Sequence, residues 1–242
     1  MKQNTLKSFQ LAHAKGIVMY SPTESLYITH SIPLYPNFTS TGQINTTVDY
    51  SQTVYAQDLM CVSMSTTNLF SLLGLMALIQ PDVYYSNIVL RNDNVSMVIG
   101  DLLPSLPPSA GFVFKENGFR FSYVAKSQFS GLDLWDNSVS GFFKSGLNVE
   151  SWGRPYMASS CPPTIPYPVL NIVNIRVGDY AWKDTQDHSK WALVTDLSVV
   201  CYGDMNRMVS QRVRGGGALC LDSQGFYDAH RSIIVSVDPC NT

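Results

Sequence analysis

Charged residues are scarce in this chain of 242 residues, at 14% against about 25% in an average globular protein. Hydrophobic residues make up 45% and aromatic residues 12%, so the chain can bury a core and does not resemble a disordered protein. Long apolar runs are also missing. The longest, residues 69–79, falls short of the about 20 residues that cross a bilayer. We expect a folded protein without a membrane span, built as one large domain or two small ones.

The chain has no excess of positive charge either. Its net charge is −2 and its pI is about 6.0, which argues against a polycation that coats nucleic acid. Protonation of all 4 histidines would change the net charge from −2 to +2. Free imidazole has a pKa of about 6.5, so this change takes place in mild acid. A contact with nucleic acid is therefore expected to be local and favoured by acid.

Several sequence motifs of catalysis and metal binding are absent. The chain has no Cys-x-x-Cys pair and no Gly-x-Ser-x-Gly elbow, which argues against a zinc ribbon, a dithiol redox site and a serine hydrolase. The segment Arg214-Gly215-Gly216-Gly217 lacks the Lys-Ser/Thr of a P-loop, so we expect a tight turn there. Metal-ligand spacing of His and Cys is missing too, so we predict neither a metal nor another cofactor.

Cysteines and glycosylation sequons favour an oxidising, secretory compartment. The sequons lie at Asn37, Asn45 and Asn94. The cysteines are Cys61, Cys161, Cys201, Cys220 and Cys240. Their odd number leaves one thiol without an intrachain partner. The first six residues contain no apolar core of a signal peptide, and buried free thiols in a cytosolic protein remain the alternative.

Apolar runs and turn signals predict interspersed strands and helices, hence a mixed α/β fold. Strands are expected at 16–20, 26–28, 58–64, 169–177, 190–194 and 197–201, with a hairpin over 112–124. Helices are expected from the capping residues 65–68 through 79 and over 135–143, and a helix or strand over 226–237. The Pro/Ser-rich segment 104–110 suggests a boundary between two halves, 1–110 and 111–242.

A repeated His-x-Lys triplet carries the chemical prediction. His13-Ala14-Lys15 and His188-Ser189-Lys190 each open an apolar run. Residues two apart on a strand face the same side, so each histidine and its lysine would point into one site. The matched contexts suggest two structural repeats that meet at a shared cleft. A single histidine on a strand is more often structural, as we expect for His230, so the prediction depends on both triplets together.

Two imidazoles and two ammonium groups suit the cleavage of a phosphodiester. A neutral histidine can attack phosphorus and form a phosphohistidine, while the protonated partner donates to the leaving oxygen. The lysines would hold the non-bridging oxygens and stabilise the charge of the transition state. Such a scheme requires no metal.

As a set, these residues resemble the deoxyribonuclease II family over nearly the whole chain. The closest motif is 187–191, Asp-His-Ser-Lys-Trp, and the blocks 203–207 and 214–220 follow it in the family's order. The first triplet, with 16–18 after it, and the blocks 30–33 and 59–63 resemble the family's earlier motifs.

The resemblance implies a phospholipase D-like fold of two pseudo-symmetric repeats, each a mixed β-sheet flanked by helices. It implies a metal-independent acid endonuclease that cuts DNA to 3′-phosphate and 5′-hydroxyl ends. His13, Lys15, His188 and Lys190 would be catalytic, and His30 and Asn206 would be supporting phosphate contacts. It further implies the disulfides Cys161–Cys240 and Cys201–Cys220, and a secreted or lysosomal protein.

Family members have a long segment before the first triplet, with a core strand and an early cysteine, which this sequence does not show. We therefore expect an incomplete first repeat and no partner within the chain for Cys61. The alternative function is a secreted relative that has lost catalysis and binds nucleic acid or a protein. A phospholipase D-like lipid hydrolase is a third option, and the sequence also leaves a homodimer open.

Overall fold

The computed structural model describes residues 12–38, 43–86, 107–155 and 157–240, and it confirms the mixed α and β fold. The strands are β1 (Gly16–Tyr20), β2 (Ser25–His30), β3 (Asn37–Phe38), β4 (Ile44–Asn45), β5 (Leu59–Met64), β6 (Ser109–Glu116), β7 (Phe119–Lys126), β8 (Leu147–Glu150), β9 (Val169–Val177), β10 (Tyr180–Lys183), β11 (Trp191–Val194), β12 (Val199–Gly203), β13 (Gly216–Asp222) and β14 (Ile234–Val237). The α-helices are α1 (Thr66–Ile79), α2 (Ser140–Phe143) and α3 (Gln224–Ile233), and a π-helix, Leu134–Val139, leads into α2. Single 3₁₀ turns lie at Tyr50–Gln52, Gln128–Ser130, Asp184–Gln186 and Val209–Gln211.

The strands form three sheets. A three-stranded antiparallel sheet has the order β1-β2-β5. A nine-stranded sheet has the order β10-β9-β8-β11-β12-β13-β7-β6, with β14 also on β9. Only the β8–β9 pair of this large sheet is parallel. A two-stranded ribbon, β3-β4, completes the set in the described residues.

Helix α1 connects the two larger sheets through the core. The Ser65 hydroxyl accepts a hydrogen bond from the Asn68 backbone N–H and caps the helix, as its position in the sequence predicts. Leu69, Leu72 and Ile79 are buried in a cluster that also holds side chains of β5, β7 and β13. The helix ends at Gln80, whose left-handed backbone lets its N–H bond to the Met76 carbonyl. The Gln80 carbonyl then accepts from Ala12, so the helix end lies beside the first His-x-Lys triplet.

Two disulfides lie in the C-terminal part, and they join the pairs that the resemblance implies. Cys201 is bonded to Cys220, its direct neighbour across β12 and β13. Cys161 is bonded to Cys240. Cys61 is free and exposed on β5.

The predicted hairpin is present, and its strands β6 and β7 turn at Asn117-Gly118. The expected turn at 215–217 is wrong, because Gly216 and Gly217 belong to β13. Glycine is required there for packing. A Cβ at Gly216 would overlap the Met205 side chain, and a Cβ at Gly217 would overlap the Tyr123 hydroxyl.

The suggested boundary at residue 110 lies within β6, and residues 104–106 lie outside the described part. The division into 1–110 and 111–242 stays a prediction. No helix among the described residues is long and apolar enough to cross a membrane.

Candidate active site

Both His-x-Lys triplets lie immediately before a strand, the first before β1 and the second before β11. They line one cavity of about 270 Å³, which we call the histidine cavity. His13, Lys15, His188 and Lys190 all contribute to its wall, and Asn206 does as well. The structure therefore places the four residues that the triplets single out around one space.

His13 is held by backbone atoms from the second half of the chain. Its N–H donates to the Gly215 carbonyl over 2.9 Å, and its ring Nδ1 lies 2.6 Å from the Asp204 carbonyl oxygen. Glycine at 215 lets this segment lie against the end of α1, because a Cβ there would overlap the Ile79 carbonyl. Burial, with Lys15 and Lys190 nearby, lowers the pKa of His13 to about 3. His13 is therefore neutral even in mild acid.

His188 takes its hydrogen bonds from residues of the first half and also has aromatic contacts. Its N–H donates to the Ala56 carbonyl over 2.8 Å, and its Nδ1 lies 3.2 Å from Nε2 of Gln57. The ring stacks on Tyr55 with centroids 4.2 Å apart and contacts Trp152 at 4.5 Å. Burial is the main cause that lowers the pKa of His188, and the Lys190 ammonium adds to it.

Two buried carboxyl groups accompany the lysines. The Lys190 N–H donates to Oδ2 of Asp58 over 2.7 Å, and Oδ2 of Asp204 accepts from the Gly217 N–H over 2.8 Å. Burial raises the pKa of Asp58 to about 6 and that of Asp204 to about 7. It also lowers the pKa of Lys190 to about 8. In acid the carboxyl groups of Asp58 and Asp204 are therefore largely neutral, while the ammonium groups of Lys15 and Lys190 at the cavity wall keep their positive charge.

The two predicted supporting residues differ in position. Asn206 lines the histidine cavity, and within the described residues its Oδ1 is buried without a hydrogen-bond partner. His30, at the end of β2, is 4% exposed and is not part of the cavity lining. It packs edge-on against Tyr35. Burial, and then the Lys15 charge, lower the pKa of His30 to about 4.

Sequence reasoning missed several residues of this site. Gln57, Asp58 and Tyr55 act on the second triplet from a segment before β5, and Trp152 and Arg154 line the cavity from the loop after β8. Each contact joins residues far apart in the chain, so no local pattern indicates them. Asp187, the neighbour of His188 in the sequence, accepts from the Ser189 N–H and from the Trp182 indole N–H.

Two of the three sequons lie in the described part. Asn37 and Asn45 are exposed and directly opposite each other on β3 and β4. Asn94 lies outside the described residues. Among the described residues, no group of three His, Cys, Asp or Glu side chains is arranged to hold a metal ion.

The protein thus combines a mixed α and β fold with two His-Lys pairs around one cavity. The model of the deoxyribonuclease II family matches residues 1–240. The chain belongs to this family.

Named relatives agree with the family match. Cell-death-related nuclease 7 of Caenorhabditis elegans is 30% identical over 95% of this chain and 64% of its own length. Deoxyribonuclease-2 of the same organism is 31% identical over 96% of this chain and 63% of its own length. Plancitoxin-1 of Acanthaster planci is 28% identical over 97% of this chain and 67% of its own length. The chain thus spans slightly less than two thirds of the two nematode relatives.

Proposed function

We propose that the chain is a deoxyribonuclease II-like acid endonuclease that hydrolyses DNA phosphodiesters without a metal, through a phosphohistidine. The observation that carries this proposal is the position of both His-Lys pairs at one cavity. Family membership supports it, and DNA is the substrate that the relatives' names indicate.

We assign the nucleophile to His13. Its Nδ1 faces a carbonyl oxygen, which can only accept, so Nδ1 carries the proton of the neutral ring. The lone pair is then on Nε2, as attack on phosphorus requires. A pKa of about 3 keeps this ring neutral in acid, where the proton donor is charged.

We assign proton donation to His188. As Nε2 of His13 bonds to phosphorus, the P–O5′ bond breaks, and the leaving oxygen takes a proton from the His188 imidazolium. The 3′-side phosphate is then covalently held on His13. Neutral His188 next removes a proton from water, whose oxygen attacks phosphorus and displaces His13. The products are a 5′-hydroxyl and a 3′-phosphate.

The remaining polar side chains would bind the phosphate. The Lys15 and Lys190 ammonium groups neutralise the non-bridging oxygens as charge builds in the transition state. The Asn206 side-chain amide can donate to one of these oxygens, because it lines the cavity. A supporting contact by His30 stays a prediction, since its ring lies close to Lys15 but outside the lining.

Cleavage of a labelled DNA duplex at pH 5 in excess EDTA tests this proposal. We expect cutting that the chelator does not reduce, and products whose mobility changes after 3′-phosphatase treatment. Loss of cutting in EDTA, or 3′-hydroxyl products, would contradict the scheme. DNA binding without cutting by the folded protein would favour the alternative, a relative that binds nucleic acid after losing catalysis.

The disulfides and the family support a secreted or lysosomal location, and glycans at Asn37, Asn45 and Asn94 would fit it. Mass spectrometry before and after glycosidase treatment of protein from a secreting host would locate them. A homodimer and a partner for Cys61 remain predictions, and the oligomeric mass in solution with and without reductant tests both.

A further inference from the structure

The Gln57 side chain is a fixed amide beside the second histidine. The Ser31 hydroxyl accepts from the Asp58 N–H over 2.9 Å, so its own proton is free to donate to Oε1 of Gln57, 2.7 Å away. Nε2 of Gln57 lies 3.3 Å from the Gln52 carbonyl oxygen, which can only accept. Both contacts place the oxygen toward Ser31 and the NH₂ group toward Gln52. The same NH₂ group is 3.2 Å from Nδ1 of His188.

This orientation selects one tautomer of His188. An amide N–H beside Nδ1 requires a lone pair there, so the proton of the neutral ring is on Nε2. Protonation of Nδ1 would set an N–H against the Gln57 NH₂ group. The amide would then have to turn over, which would place Oε1 toward the Gln52 carbonyl and give up that hydrogen bond.

We propose that Gln57 is the positioning residue of His188: at neutral pH its amide holds the ring in the Nε2–H tautomer, which has no lone pair facing the histidine cavity, and the imidazolium that works in catalysis forms only in acid, where the amide turns over and Oε1 accepts from Nδ1–H. An amide at this position differs from a carboxylate, which would accept from Nδ1–H and favour the imidazolium at neutral pH. The inference rests on the proposed function for the statement that His188 donates the proton.

The other groups that face His188 act in the same direction or are already engaged. Lys190 and Lys15 disfavour the imidazolium, while Asp187 favours it. The oxygens of Asp187 accept from Ser189 and Trp182. Tyr55 and Trp152 contact the ring faces, and Arg154 adds a positive charge to the wall. Within the described residues, no carboxylate is hydrogen-bonded to the His188 ring.

The test replaces Gln57 with Glu, which has the same shape and carries an acceptor. The His188 ring is titrated by NMR in ¹⁵N-labelled protein, with its signals assigned from the His188→Ala spectrum. We expect the Gln57→Glu substitution to move the His188 titration up by about 1–3 pH units, and the alkaline limit of DNA cleavage to move with it. Gln224→Glu adds the same charge at an exposed position of α3 and should change neither.

Each outcome separates this inference from the proposed function. An unchanged His188 titration in folded Gln57→Glu protein would overturn the role of Gln57. So would wild-type ¹⁵N shifts at neutral pH that show the proton on Nδ1, a measurement that does not need the variant to fold. A moved titration with an unmoved alkaline limit would refute control of the working pH. A moved titration in a protein that never cuts DNA would refute the nuclease function and support the positioning role.

Discussion

At the residue scale, Nδ1 of each cavity histidine has its hydrogen-bond partner in the other half of the chain. Nδ1 of His13 meets Asp204, 191 residues later, and Nδ1 of His188 meets Gln57, 131 residues earlier. One partner is a carbonyl acceptor and the other an amide donor, so the two imidazoles carry their protons on different nitrogens. This difference supports different roles for two otherwise matched triplets.

Lys190 allows a test of charge stabilisation at this scale. Its side chain is 4% exposed and donates to the His188 carbonyl. Lys190→Met should lower kcat for DNA cleavage by about 100- to 1,000-fold, because a group that stabilises transition-state charge is lost. Steady-state kinetics on a defined duplex measures this effect. Lys183→Met, at an exposed position of β10, is the matched control. A loss under threefold for Lys190→Met, which is about 0.65 kcal/mol, would contradict the role.

At the scale of elements, strand β13 and the end of α1 position the first triplet. Gly215 precedes β13, accepts from the His13 N–H and packs against the Ile79 carbonyl. Gly217 lies against the Tyr123 hydroxyl and donates its N–H to Asp204. The glycines thus allow the close packing that brings Asp204 to His13.

Glycine substitutions test this packing. Gly217→Ala should lower the free energy of unfolding by about 1–3 kcal/mol, because the added Cβ overlaps the Tyr123 side chain. Gly225→Ala is the control: it lies in α3 with no heavy atom within 4 Å of the added Cβ. It should raise the free energy of unfolding by about 0.5–1 kcal/mol through helix propensity. Urea denaturation measures both, and equal effects of the two substitutions would argue against close packing at Gly217.

Local signals in the sequence predict the elements better than the site. The Ser65 cap, the strand 169–177 and the hairpin around Asn117-Gly118 follow from capping, alternation and turn residues. The turn predicted at the glycines of β13 is wrong because each glycine is required by a neighbour, Tyr123 or Met205, that is distant in sequence. The same holds for Gln57 and Asp58. The triplets could be found because each carries its chemistry within three residues.

At the scale of the whole molecule, the buried site makes stability depend on pH in two opposite ways. The pKa of Asp204 rises from 3.8 to about 7 in the fold, so its contribution is full below about pH 4 and is lost as pH rises through 7. The pKa of His13 falls from 6.5 to about 3, so its contribution is present above 6.5 and is lost as pH falls through 3. We expect greatest stability between these limits.

The alkaline side of this dependence can be isolated with Asp204→Asn. The variant keeps an oxygen acceptor for the Gly217 N–H but cannot ionise. Its urea midpoint should therefore fall less between pH 5 and pH 8 than that of the wild-type protein. Asp222→Asn, at an exposed position of β13, should behave like the wild type. An equal fall in the Asp204→Asn variant would show that this carboxyl does not titrate with folding.

The central claim is that two histidines at one cavity cut DNA together, and plasmid nicking at pH 5 in EDTA tests it most directly. The wild-type chain should convert supercoiled plasmid to the nicked form, while His13→Ala and His188→Ala should each lose at least about 1,000-fold of the rate. His230→Ala, which removes the partner of Tyr202 away from the cavity, should retain nicking. Normal nicking by either folded cavity variant would contradict the account.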